Sequence, residues 1–270
     1  MARLFESAWR NGYEFFERYY CTERNRSVSQ RIELPYEWYE PSSRGLYASI
    51  LDPEVKLDKK QGNAKNGRDQ AGFTDPIYRL IRAVYWGRSE GDRYQDSPRV
   101  MYLDIETRVG QNSTGFPKPN KAAEEITLIQ IFDNKTNTEF VFGTRPWTHQ
   151  DEYEFEYDVK YLQFPDEISL LEAFVKVFRQ IDPLIIYAWN GNGFDYPYIF
   201  NRMKNLGLNP GDLSVHGSCS LREIINAGQT SWNLNSDGHF FMDLKDVYRK
   251  FVLAPRASYS LDYIAEAELG

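Results

Sequence analysis

Cysteine and histidine are scarce in this sequence, with two Cys and three His among 270 residues. Cys21 and Cys219 stand far apart, and no Cys-x-x-Cys or Cys/His pair has metal-ligand spacing. That excludes a disulfide scaffold and a zinc finger or ribbon, and both cysteines read as free thiols of a reducing compartment. Long apolar runs are missing as well, with no stretch of uncharged apolar residues long enough to span a membrane. The N-terminus carries Arg3, Glu6 and Arg10 where a secretory signal needs an apolar stretch. A positive net charge is also absent. Thirty-two basic against 39 acidic residues leave a formal charge of -7, which excludes a protein that grips nucleic acid by a uniformly basic surface. A local basic groove or a carboxylate-lined metal site remains compatible. What the chain has in quantity is aromatics, 19 Tyr, 17 Phe and 6 Trp, residues that fill cores or stack on bases.

The length accommodates one large domain or two ordinary ones, and the texture divides it. Residues 1–98 read as a smaller mixed α+β unit. Short strands are expected at Phe15–Tyr20 and Arg31–Leu34, joined by the polar stretch Thr22–Gln30. The Gly/Asn/Lys-rich segment 52–69 reads as a loop, and a helical stripe runs from Asp75 to Trp86. Residues 99–270 read as regular α/β. Strands are expected at Arg99–Glu106, Ile126–Phe132 and Glu139–Phe142, the last two a hairpin across 133–138. Pro165-Asp166 opens a helix with Leu170, Phe174, Val177, Phe178 and Ile181 at the 3.6 period. Leu184–Ala188 is a continuous apolar run, hence a buried central strand. The order β-β-β-α-β predicts a ribonuclease-H-like mixed sheet with flanking helices.

Two clusters of acids stand out in the second unit. In Leu103-Asp104-Ile105-Glu106, residues two apart on a strand share a face, so both carboxylates project together. Their mutual repulsion is relieved most simply by a divalent cation, for which oxygen ligands suit Mg2+ or Mn2+. A solvent-facing strand edge produces the same pattern. The second cluster, Asn190-Gly191-Asn192-Gly193-Phe194-Asp195, follows the buried strand, where α/β folds place their sites. Its glycines are expected to provide the sharp turn. Phe194 is expected to anchor that turn while Asp195 points toward the first strand. The alternative is an ordinary strand-to-helix turn with Asp195 as N-cap.

These residues resemble known motifs. Tyr102-Leu103-Asp104-Ile105-Glu106 is similar to the first exonuclease motif of family B DNA polymerases, and Asn190-x3-Phe194-Asp195 to the second. Gly115-Phe116-Pro117-Lys118-Pro119, Met242 to Phe251 and Ser258 to Ile264 agree in order. Phe16-Glu17-Arg18-Tyr19 resembles the start of polymerases from T-even-type tailed phages. The resemblance covers nearly the whole chain. It implies an N-terminal domain followed by a 3'-5' proofreading exonuclease working with two divalent metal ions, Mg2+ or Mn2+. It also implies Asp104, Glu106 and Asp195 as metal-holding catalytic residues, and Phe116, Asn190 and Phe194 as the residues at the 3'-terminal nucleotides. The implied partners are the single-stranded 3' end of DNA, the remainder of the polymerase, and the sliding clamp with other replisome proteins. RNA is a further candidate ligand, and the implied location is the cytoplasm of a phage-infected bacterial host.

One part of the family pattern has no match. The third motif, Tyr-x3-Asp, is absent. Tyr196, Tyr198, Tyr248, Tyr259 and Tyr263 are followed four positions on by Phe200, Arg202, Val252, Tyr263 and Ala267. In the family that motif falls a few tens of residues beyond the segment matching Tyr259 to Leu269, and this sequence stops at Gly270. With three of four acids, the isolated chain is expected to be a weak or inactive nuclease that needs a partner. The alternative class is a non-catalytic module binding single-stranded nucleic acid. The acid-dense stretch Asp151 to Asp158 reads as an exposed connector.

Overall fold

The computed structural model describes residues 3–270 apart from 12–13, 34–35, 50–51, 63–70, 89–96, 110–114, 149–153, 227–228 and 253. Its contacts divide the chain into two units, Met1–Asp96 and Ser97–Gly270. Among the described residues no helix is long and apolar enough to cross a membrane.

In the first unit β1 (Arg3–Asn11), β2 (Glu14–Cys21) and β3 (Arg26–Ile32) form an antiparallel meander. The middle strand buries Phe15, Phe16 and Tyr19 together with Glu17 and Arg18. Both charges are satisfied, Arg18 by Glu6 at 2.9 Å and Glu17 by Arg3, Gln30 and the Tyr85 hydroxyl. The expected connection Thr22–Gln30 shrinks to a turn at 22–25, with Asn25 in the left-handed region at φ 49°. Full cross-strand pairing extends β3 back to Arg26, where Ser27 donates to Glu6. A second sheet, of order β5-β6-β4-β7, contains β4 (Tyr36–Pro41), β5 (Tyr47–Ala48), β6 (Lys56–Gly62) and β7 (Ala71–Thr74).

Strand β6 corrects the loop expected over 52–69, of which 63–69 lie outside the described residues. Its polar composition hid it. The strand is held by pairing with β4, buries Leu57, and turns Lys59 toward Glu37 and Lys60 toward Asp58. The expected helix is α1 (Pro76–Leu80), capped by the Asp75 carboxylate on the Ile77 amide at 2.8 Å and continued by a wider π turn over Ile81–Tyr85.

The second unit is a ribonuclease-H-like α/β sheet with flanking helices. Its strands are β8 (Val100–Thr107), β9 (Ile126–Asp133), β10 (Thr138–Gly143), β11 (Asp158–Gln163), β12 (Ile185–Ala188), β13 (Cys219–Asn226), β14 (Gln229–Ser236) and β15 (His239–Asp243). They lie in the order β11-β10-β9-β8-β12-β15-β14-β13. Strand β12 runs parallel to both neighbours, β8 and β15, and β11 runs parallel to β10. Of the expected connector, Asp158 opens β11 and 151–153 lie outside the described residues.

Helices α2 (Glu167–Ile181), α3 (Asp195–Asn205), α4 (Leu244–Phe251) and α5 (Leu261–Leu269) complete the unit. Leu170, Phe174 and Phe178 of α2 and Tyr196, Ile199 and Met203 of α3 share a core with Met101, Leu103 and Ile105 of β8 and Ile186 of β12. The alternation of β8 therefore sends its apolar residues into the core and Tyr102, Asp104 and Glu106 to the opposite face.

A second fastening joins α2, α3 and the strand entry. The Arg202 guanidinium forms two bonds to Glu167, at 2.8 and 2.6 Å, and others to the carbonyls of Ala122 and Ala123, while Glu167 accepts from the Ile126 amide. Replacing Arg202 by Met leaves Glu167 in a largely buried position without its cation. The expected loss is about 3 kcal/mol, checked by urea denaturation at pH 7.

Candidate functional site

The six residues singled out in the sequence, Asp104, Glu106, Phe116, Asn190, Phe194 and Asp195, all line one cavity of about 270 Å3, together with Pro117 and Trp189. Strand geometry explains the first pair, since Asp104 and Glu106 are exposed neighbours on one face of β8. The two carboxylates repel each other. Burial and then the Glu106 charge hold the Asp104 carboxyl above its ordinary range.

Asp195 is delivered by the turn after β12. Phe194 occupies the N-cap position and offers no side-chain cap, so Asp195 is the first residue of α3 rather than its N-cap. It is 3% exposed. Burial raises its carboxyl to about 7, with the Asp104 charge next in size, against the lowering effect of its own amide and the Ile105 amide. The three carboxylates thus line one cavity, and the charge of one raises the carboxyl of the next, Glu106 acting on Asp104 and Asp104 on Asp195. Hard oxygen donors carrying uncompensated charge fit a small divalent cation. The set is open, however. Among the described residues no group of three or more His, Cys, Asp or Glu side chains is disposed to hold a metal ion.

The turn itself is organised by an acid to which the sequence pattern assigned no such part. Asp243, 4% exposed at the end of β15, caps α4 through the Lys245 amide at 2.9 Å. The same carboxylate accepts from the amides of Asn190 at 3.1 Å and Asn192 at 3.0 Å. Asn190 is the residue in the left-handed region, at φ 66°, and its side-chain oxygen receives the Lys245 ammonium. The sharp turn expected here is present, closed by the Gly193 amide on the Asn190 carbonyl at 2.8 Å, and the glycines serve it through space. A Cβ on Gly191 would meet the Tyr196 ring and the Ala188 Cβ, so glycine is required there by close approach, while one on Gly193 would meet the Asn190 side-chain amide. Tyr196 completes the frame by donating to the carbonyls of Ile186 and Met242. A carboxylate paired in sequence with a helix start, as in Asp243-Leu244-Lys245-Asp246, signals a cap. Its bonds to Asn190 and Asn192 had no sequence signal because they cross the sheet.

Phe116 stands at the mouth of the cavity. It is 80% exposed, and its ring meets Phe194 edge-on at 5.3 Å, while Phe194 continues to Tyr198 at 5.1 Å. An exposed ring held at its edge presents a flat face for stacking. The Trp189 indole is turned by a bond to the Tyr259 carbonyl at 3.1 Å.

Comparison with known proteins agrees with this architecture. The profile of the exonuclease domain of DNA polymerase family B matches residues 82–264. The DNA-directed DNA polymerase of Escherichia phage RB69 is 31% identical over 96% of this chain and 32% of its own length. The corresponding polymerase of Enterobacteria phage T4 is 29% identical over 75% of this chain and 24% of its own. The catalytic polypeptide of DNA polymerase epsilon from Kluyveromyces lactis is 28% identical over 64% and 8%. The chain spans about a third or less of the length of these relatives. A carboxylate-lined cavity on a ribonuclease-H-like sheet, and a profile match over two thirds of the sequence, place this chain in family B of the DNA polymerases, within the exonuclease domain.

Proposed function

We propose that this chain is the N-terminal and proofreading-exonuclease portion of a replicative DNA polymerase, removing nucleotides from the 3' end of DNA. The observation that supports the reading is that Asp104, Glu106 and Asp195 line one cavity together with the exposed Phe116 ring. The three carboxylates are the metal-holding residues. Two divalent cations, Mg2+ or Mn2+, when bound supply charge stabilisation at the scissile phosphate and activation of water.

The chain's own residues select and orient the strand. Phe116 stacks on a terminal base without regard to its identity, Phe194 backs that ring, and Asn190, fixed by Lys245 and Asp243, presents its amide to the same end. A mismatched terminus unpairs at lower cost than a matched one, so it reaches this site more often, which is the basis of proofreading. The remainder of the polymerase is the partner, supplying the fourth carboxylate. By itself the chain holds an open donor set and is weakly active or inactive.

The test uses single-stranded DNA labelled at either end, with Mg2+ or Mn2+. Little shortening is expected from the chain alone, and 3'-directed shortening is expected once the downstream part of the polymerase is added. Robust Mn2+-dependent degradation by the chain alone, abolished in Asp104→Ala, would overturn the inactivity. Degradation from the 5' end would overturn the direction. DNA affinity unchanged by metal, by Asp104→Ala and by Asp195→Ala would favour the binding-module reading instead.

A further inference from the structure

The sheet face that carries Asp104 and Glu106 continues well beyond β8. Strand register sets Gln130 directly beside Asp104, Val141 beside Gln130, and Tyr161 beside Val141. Residues opposed across paired strands project from the same face. The four therefore form a row from the carboxylate toward the sheet edge, about 14 Å long at three spacings of roughly 4.8 Å.

The other three residues of that row, Gln130, Val141 and Tyr161, line a second cavity of about 500 Å3 that begins one strand from Asp104 and extends toward the sheet edge. Trp147, Phe155 and Tyr157 supply the other aromatic walls. Trp147 meets Tyr161 at 5.7 Å and Phe155 at 6.3 Å, both edge-on, and Phe155 meets Tyr157 at 5.6 Å. Tyr161 is fixed in advance of any ligand. The Tyr161 ring lies over Gly143, where a Cβ would collide with it, and its hydroxyl donates to the Arg145 carbonyl.

The polar groups are few and convergent. Gln130 offers an amide with both donor and acceptor, and Glu139 is hydrogen-bonded by Tyr157. Arg145 is exposed at the same cavity. Aromatic walls suit a planar ring, an amide suits the hydrogen-bonding edge of a base, and a guanidinium suits a phosphate. A sugar also stacks on aromatic rings, but the unbroken row to Asp104 ties this cavity to the strand that ends there.

We propose that the cavity walled by Trp147 and Tyr161 binds an unpaired base of the same single strand whose 3' end lies at Asp104, roughly two to four nucleotides back from that end. This inference rests on the exonuclease reading of the carboxylate site. It assigns the chain a longer single-strand footprint than the carboxylate cavity alone provides.

Oligothymidylates carrying one 5-iodouracil at successive positions from the 3' end, irradiated with the intact chain in EDTA, test it through cross-links mapped by peptide mass spectrometry. The terminal position is expected to reach Phe116 or Phe194, and an interior position Trp147 or Tyr161. In fluorescence anisotropy, Trp147→Ala is expected to weaken a long oligothymidylate about ten-fold, leave a dinucleotide unchanged, and be rescued by Trp147→Phe. Circular dichroism confirms that each variant is folded. Terminal cross-links at Phe116 with no interior position reaching Trp147 or Tyr161 overturn the second cavity alone. Loss of the terminal cross-links too overturns the reading of the carboxylate site along with it. Equal weakening of dinucleotide and long oligomer by Trp147→Ala also overturns the proposal.

Discussion

At pH 8 in EDTA, Asp195→Asn is expected to be more stable than the parent chain by on the order of 4 kcal/mol. The carboxyl of Asp195 is raised from an ordinary 3.8 to about 7, by burial first and the Asp104 charge second. A raised acid binds its proton more tightly in the folded state than in the unfolded one. Its destabilising contribution is therefore complete above about 7, shrinks as pH falls, and vanishes below the unfolded value near 3.9. Asparagine keeps the oxygen that accepts from the Ile105 amide and gains an NH2 group to offer Asp104, at no cost in charge. The gain in melting temperature should thus be large at pH 8 and absent at pH 4. Mn2+ should stabilise the parent chain and barely stabilise the variant, since the variant has lost one of three donors. Equal melting temperatures at pH 8 would show that Asp195 carries no electrostatic penalty and would weaken its assignment to a metal site.

Asp243→Ala is expected to have the opposite sign and a comparable size, a loss of about 4 kcal/mol. The carboxylate accepts from the amides of Asn190, Asn192 and Lys245 from an almost fully buried position. Alanine leaves those donors without an acceptor, and hydrogen bonds to a charged partner are worth roughly 1.5–3 kcal/mol each. The turn that presents Asn190 and Asp195 should loosen at the same time. Denaturation in urea measures the first effect. Emission from Trp189, which sits in the same cavity, reports the second by a red shift. Asp243→Asn retains an oxygen for one or two of the amides and should recover about half of the loss. If Asp243→Ala were as stable as the parent chain, the turn would have to be held by Tyr196 and the glycine packing alone.

Much of the site was legible because its geometry is local. Asp104 and Glu106 are two apart on a strand, and the apolar Leu103 and Ile105 that alternate with them identify the buried face. Phe194 and Asp195 follow an apolar run that has few alternatives to a central strand. Helix α2 was legible for the same reason, as its apolar stripe keeps one period over four turns. The misread segments lack any such period. Strand β6 is rich in lysine, so backbone pairing with β4 defines it and its own side chains do not. The early start of β3 and the extra strand β11 have the same cause. For Asp195, position in the sequence suggested a cap. Only the tertiary structure made it the first helical residue and buried it, with the neighbouring Tyr196 bonded to the carbonyls of Ile186 and Met242.

By itself the sequence determined the two-part texture, the face of β8 that carries the acids, the residues around the first cavity and the family resemblance. Each of these depends on spacings of a few residues, where strand and helix periods act directly. The tertiary structure alone decided that Asp243 clamps the Asn190 turn, that Asp195 is driven to about 7 by burial and Asp104, and that the carboxylate row runs through Gln130 and Val141 to Tyr161. Those relations join residues from separate strands, and register between strands is settled by pairing and core packing across the sheet.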